Sequence, residues 1–70
     1  MVNEWDATDW QAFFDERAAI SEYDGGMTRQ LAEVGAYGAC VAEYLARHPD
    51  KNAKIAKSAL AAFGVVYPKM

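Results

Sequence analysis

The chain has 70 residues, 53% hydrophobic and 24% charged, with a net charge of −3 and a single cysteine. A chain of this length makes one domain with a thin core, and its apolar content separates it from disordered sequences. One cysteine excludes an internal disulfide; with no basic leader ahead of an apolar stretch and no run near the about 20 apolar residues needed to span a bilayer, the expectation is a cytoplasmic protein without a membrane segment.

The first predicted element is a helix over residues 8–24. Thr8 can cap it with Gln11 completing a capping box, and Asp6 is a rival cap. The 3.6-residue period collects Trp10, Phe13, Phe14, Ala18 and Ile20 on one arc and turns Asp15, Glu16 and Glu22 away from it. Gly25 and Gly26 then close the helix, because glycine reaches the left-handed conformation without a Cβ penalty. Arg17 is the anomaly: it falls within the aromatic arc, so its guanidinium either lies over a ring or meets an acid such as Glu33 or Glu43. A pairing or stacking role inside the hairpin is the first expectation for it and a partner-binding role the second.

Thr28 caps the second predicted helix, residues 28–48, whose apolar face is Leu31, Val34, Val41 and Leu45, with Tyr37, Tyr44 and His48 along one edge. Gly35 and Gly38 each cost about 1 kcal/mol relative to alanine in a helix interior, which implies close approach of a neighbouring helix. Pro49 disfavours helical geometry at His48, and Asp50 can cap a third helix over residues 51–63. Its apolar arc is Ile55, Ala56, Ala59, Leu60 and Phe63, opposite a row of Lys51, Lys54 and Lys57. Gly64 suits the position just past the helix end, with Val65 contacting Leu60, and the closing "VVYPKM" can cross the core in extended form.

These elements predict an all-α fold: a small three-helix bundle, a helical hairpin plus a third helix, forming a single domain over residues 1–70. Its core is expected at Trp10, Phe13, Phe14, Leu31, Val34, Val41, Leu45, Leu60 and Phe63.

Chemistry is harder to find. Cys40 and His48 lie eight residues apart, about 12 Å along a helix, too far for a nucleophile and its base. They are also too few for a zinc site of about four ligands, and the acids lack calcium-loop spacing. In "YDGGMTR" two glycines precede a helix N-terminus with Arg29 in its first turn, a geometry that can hold an anion, but the longer glycine pattern and lysine of nucleotide loops are missing. The stretch "TRQLAEVGAYGACVAEYL" has a helix-turn-helix rhythm, yet residues 37–44 carry Glu43 and no base, which opposes nucleic-acid reading. No catalytic residue, cofactor or metal ligand is therefore expected, and the chain reads as non-enzymatic.

Charge is unevenly distributed. The first 24 residues sum to −6 and the remainder to +3, an asymmetry that invites an electrostatic partner. A protein partner is expected, met by Asp15, Glu16, Glu22, Arg17 and whichever of Tyr23, Tyr37 and Tyr44 are exposed; a second copy of the chain is one such partner. The alternative is a nucleic-acid-associated regulator using Lys51, Lys54 and Lys57.

The segment "DWQAFFDERAAISEYDGGMTRQLAE", followed by "CVAEYLARHP", resembles a short helical stretch that recurs in proteins of phages, plasmids and integrated elements of proteobacteria. There it often precedes a cysteine-rich, zinc-ribbon-like portion or is appended to replication-type proteins. The resemblance covers residues 10–49 and stops there, since "DKNAKIAKSALAAFGVV" holds no cysteine, so no zinc role transfers. It implies a mobile-element setting and an interaction role.

Overall fold

The computed structural model describes residues 4–68 and contains three helices: α1 (Ala7–Gly25), α2 (Arg29–Arg47) and α3 (Ala53–Ala62). This is the expected all-α arrangement, a long antiparallel hairpin with a short third helix packed on it.

The start of α1 corrects the expected cap. Asp6, not Thr8, is the N-cap: its carboxylate accepts from the Asp9 backbone N–H at 3.0 Å, and Asp9 accepts from the Asp6 N–H at 3.1 Å. Trp5, the residue before the cap, packs edge-on against Trp10 at 4.8 Å between ring centroids, forming a hydrophobic staple around the capping box. That staple decides against Thr8, which would leave Trp5 with no role at the helix entry. At the far end Gly26 takes a φ of +63°, and its N–H reaches the Ser21 carbonyl, so the paired glycines do end the helix.

Thr28 caps α2 as expected, accepting from the Leu31 N–H at 3.3 Å. His48, ahead of Pro49, leaves helical geometry and ends α2. Asn52, not Asp50, caps α3 by accepting from the Ile55 N–H at 2.9 Å, because a turn closed by the Lys51 N–H on the His48 carbonyl delays the helix by two residues. At its end the Val65 N–H meets the Leu60 carbonyl at 2.8 Å and the Gly64 N–H meets Ala61 at 3.0 Å, the paired bonds of a Schellman motif, with Gly64 at φ +88°. Val65 and Leu60 share the core, as the spacing implied. The tail beyond runs without regular structure over the protein, Tyr67 standing edge-on to Tyr37 at 5.5 Å; Lys69 and Met70 lie outside the described residues.

The core is organised differently from the expected one. Its main cluster is Trp10, Tyr37, Cys40, Leu60 and Val65, with Phe13, Phe14, Val41 and Phe63 partly buried against it. A second cluster, Ala18, Ala32 and Ala36, lines the crossing of α1 and α2, and Phe14 bridges the two. Leu31 is 54% exposed and Ile55 43%, both corrections to the expected apolar faces. The reason lies in the bulk on α1: with Trp10 and Phe14 already filling the interface, α2 turns its alanines inward so that the two backbones can approach, and Leu31, on the opposite side of the helix by its 3.6-residue period, swings outward. Gly35 and Gly38 also depart from expectation. A Cβ added at either would meet no atom of the chain within 4 Å, so neither serves a close approach inside the described residues.

Candidate functional site

Arg29, in the first turn of α2, is the electrostatic centre of the hairpin. Its Nη1 donates to Glu22 at 2.9 Å, its Nε to Glu33 at 2.8 Å, and its Nη2 lies 3.6 Å from Asp15. Hydrogen bonds to Glu33 and Glu22 hold its pKa above the ordinary arginine value. The guanidinium that could have served an anion at the "YDGGMTR" turn thus ties the two helices together through carboxylates of both.

The structure redistributes the other charges accordingly. Glu33 pairs with Arg29, and Glu43 accepts from Arg47 at 2.8 Å, so neither meets Arg17. Arg17 is exposed, with its guanidinium 5.5 Å from the centre of the Phe13 ring, the stacking alternative rather than the acid-paired one. Of the expected contact residues, Asp15 and Glu22 converge on Arg29, Glu16 stays exposed on the outer side, and Tyr23 is 89% exposed. Tyr37, at 8% exposure, is a core residue and leaves the set, because α2 turns it toward the core side rather than to an edge. Tyr44 is half-buried between Trp10 at 6.0 Å and His48 at 4.3 Å. The basic row is also smaller than expected: Lys54 and Lys57 share an exposed face of α3, whereas Lys51 sits in the preceding turn, 3.6 Å from Asp50.

Two of the recesses among the described residues lie against the helix interfaces. A cleft of about 280 Å³ at the end of the bundle is lined by Trp5, Trp10, Tyr44, Arg47, His48 and Phe63 among others. Arg47 lies 3.9 Å over the Trp5 ring while donating to Glu43, so the cleft's cation is spent on pinning the N-terminal segment to α2. Its aromatic walls can stack a flat group. Cys40 is fully buried, and that burial pushes its thiol up from 9.0 to about 11 against the opposing charge of Arg17. No three of His, Cys, Asp and Glu gather into a metal-holding group among the described residues.

The second recess, of about 200 Å³, is a groove along the hairpin between Arg17, Ile20 and Ser21 of α1 and Gly35, Ala36 and Ala39 of α2. It continues onto the outer side of α2, where Leu31, Gly35, Gly38, Ala42 and Ala46 are all exposed and no charge interrupts the surface. The small residues are legible in the sequence, where their spacing implies packing within the chain; their outward orientation depends on the rotation of α2 about its own axis.

Compared with known proteins, the chain matches no family model, no curated protein and no solved structure. Among the described residues no helix is long and apolar enough to cross a membrane.

Proposed function

We propose that the protein is a small, non-enzymatic interaction module whose hairpin receives a helix of a protein partner on its open side. The observation that carries this reading is the outer face of α2. Leu31, Gly35, Gly38 and Ala42 form an uncharged exposed stripe, and an added Cβ at either glycine meets open space. Helix-interior glycines are disfavoured, and exposed contiguous apolar surface is a marker of association. A helix laid there would bury the stripe while the acids of α1 steer its approach.

From the resemblance of residues 10–49 we place the module in a mobile-element setting, as a regulator acting on a larger complex. The free, buried Cys40 accords with a reducing, cytoplasmic compartment.

A photoreactive side chain installed at position 38, with position 57 on α3 as control, tests the reading in cells that make the protein. Covalent protein adducts should form from position 38 and not from 57, and should disappear when Ala42→Glu puts a charge in the stripe without altering the melting temperature. Equal yields from both positions would overturn the reading. So would tight, sequence-dependent retention of duplex DNA at about physiological salt, which the acidic first helix should prevent.

A further inference from the structure

The hairpin has two sides, and only one is covered. Trp10 on α1 and Tyr37, Tyr44 on α2 face toward Phe63, Leu60 and the tail. The other side is the groove between Arg17, Ile20 and Ser21 and the small residues Gly35 and Ala39, with Ile20 45% exposed.

Charge singles out one occupant for it. Arg17 and Asp24 stand seven residues apart on α1, which places them two turns from each other, about 10 Å along the axis and within about 20° around it. Both are exposed, and neither makes an ion pair among the described residues. Asp24 moreover sits in the last turn of α1, where the helix dipole disfavours a carboxylate, and no basic residue of that turn offsets it. The point midway between positions 17 and 24 falls between Ile20 and Ser21, the two α1 residues that line the groove with Arg17.

We propose that a second copy of the chain docks in this groove, the α1 helices of the two copies crossing antiparallel at Ile20 and Ser21 so that Arg17 of each pairs with Asp24 of the other. This rests on the reading of the hairpin's open side as a docking surface and names what fills it. A twofold axis through the midpoint carries position 17 onto position 24 and back, so the contact is self-complementary and closes at two copies. Parallel crossing would instead set arginine against arginine and aspartate against aspartate. Stacking the acidic α1 of one copy on Lys54 and Lys57 of another would use α3, which does not line the groove, and would leave it open. Ile20 supplies the apolar centre, Gly35 and Ala39 leave room beside it, and the two ion pairs set the register.

Sedimentation equilibrium of the full chain, from micromolar to near-millimolar concentration, tests this with circular dichroism melts as a control for folding. The wild type should show a monomer–dimer equilibrium. Arg17→Glu and Asp24→Arg should each raise the dissociation constant by about tenfold or more, since each places like charges together twice across the axis. The two substitutions combined should restore dimerisation. Ser21→Cys should form a disulfide-linked dimer under mild oxidation, because the axis brings the two positions within bonding range. A monomer throughout the range overturns the proposal, as does a dimer that ignores the single reversals, that the double reversal fails to restore, or that Lys54→Glu weakens instead. The photoadduct at position 38 separates this failure from failure of the docking reading: a monomer that still gives an adduct of mass other than two copies leaves that reading standing without the dimer, and a monomer that gives no adduct removes both.

Discussion

The side-chain amide of Gln11 donates a 2.7 Å hydrogen bond to the backbone carbonyl of Phe63, joining the second turn of α1 to the end of α3 across 52 positions of sequence. It satisfies a carbonyl freed where α3 ends, and it stacks the two elements that share Trp10 and Phe63, whose rings lie nearly parallel at 6.3 Å. The same amide lies 2.7 Å from where a Cβ on Gly64 would be.

Gly64→Ala should therefore destabilise more than Gly26→Ala. Both positions have left-handed backbone, which disfavours alanine by about 1 kcal/mol. Only at Gly64 does the new methyl also meet another side chain, and breaking the Gln11 bond adds about 1 kcal/mol. Denaturant melts of the two variants and of Gln11→Ala would check it: in the Gln11→Ala background, the excess cost of Gly64→Ala should largely vanish.

Gly35→Ala should act in the opposite direction. The position is helical, exposed and free of neighbours, so alanine should gain about 0.5–1 kcal/mol of monomer stability in dilute solution. A melt at low protein concentration reads this directly. Unchanged or lower stability would mean that something of the chain itself occupies the space.

Alkaline pH should weaken the fold through Cys40. Its thiol titrates near 9.0 when free and is pushed up to about 11 by burial in the folded state. Below pH 9 both states are protonated and the full contribution to stability is present. Between about 9 and 11 the unfolded chain releases the proton first, so stability falls as pH rises. Burial raises the Tyr37 pKa as well and adds to the same trend. Unfolding free energies measured from pH 8 to 11 should slope downward in the wild type and less steeply in Cys40→Ala.

Salt should separate Arg29 from the other arginines. Its three carboxylate neighbours come from both helices of the hairpin, whereas the Glu43 contact of Arg47 lies within one helix. Arg29→Ala should lower the melting temperature at low ionic strength, and the difference from wild type should shrink toward 1 M salt, where screening acts within about 3 Å. A difference that salt does not change would assign the loss to packing instead.

Local chemistry determined a great deal by itself. Glycine at 26 and 64, threonine at 28 and proline at 49 act within a few residues of themselves, and each turn or cap they imply is present. The three helices and their order follow from those signals together with the 3.6-residue spacing of apolar side chains. Tertiary structure decided the rotation of each helix. On α2 the larger aliphatics Leu31 and Val34 and the alanines Ala32 and Ala36 offer competing inward faces, and periodicity favours the larger side chains. The choice fell to the alanines because Trp10 and Phe14 on the opposing helix already occupy the volume, a fact carried by residues some twenty positions away. That rotation also sent Tyr37 into the core, gave Glu33 to Arg29 rather than Arg17, and left the glycines facing outward. The groove exists for the same reason: close packing of two faces fixes what the remaining faces expose, and no short window of sequence contains both partners of that contact.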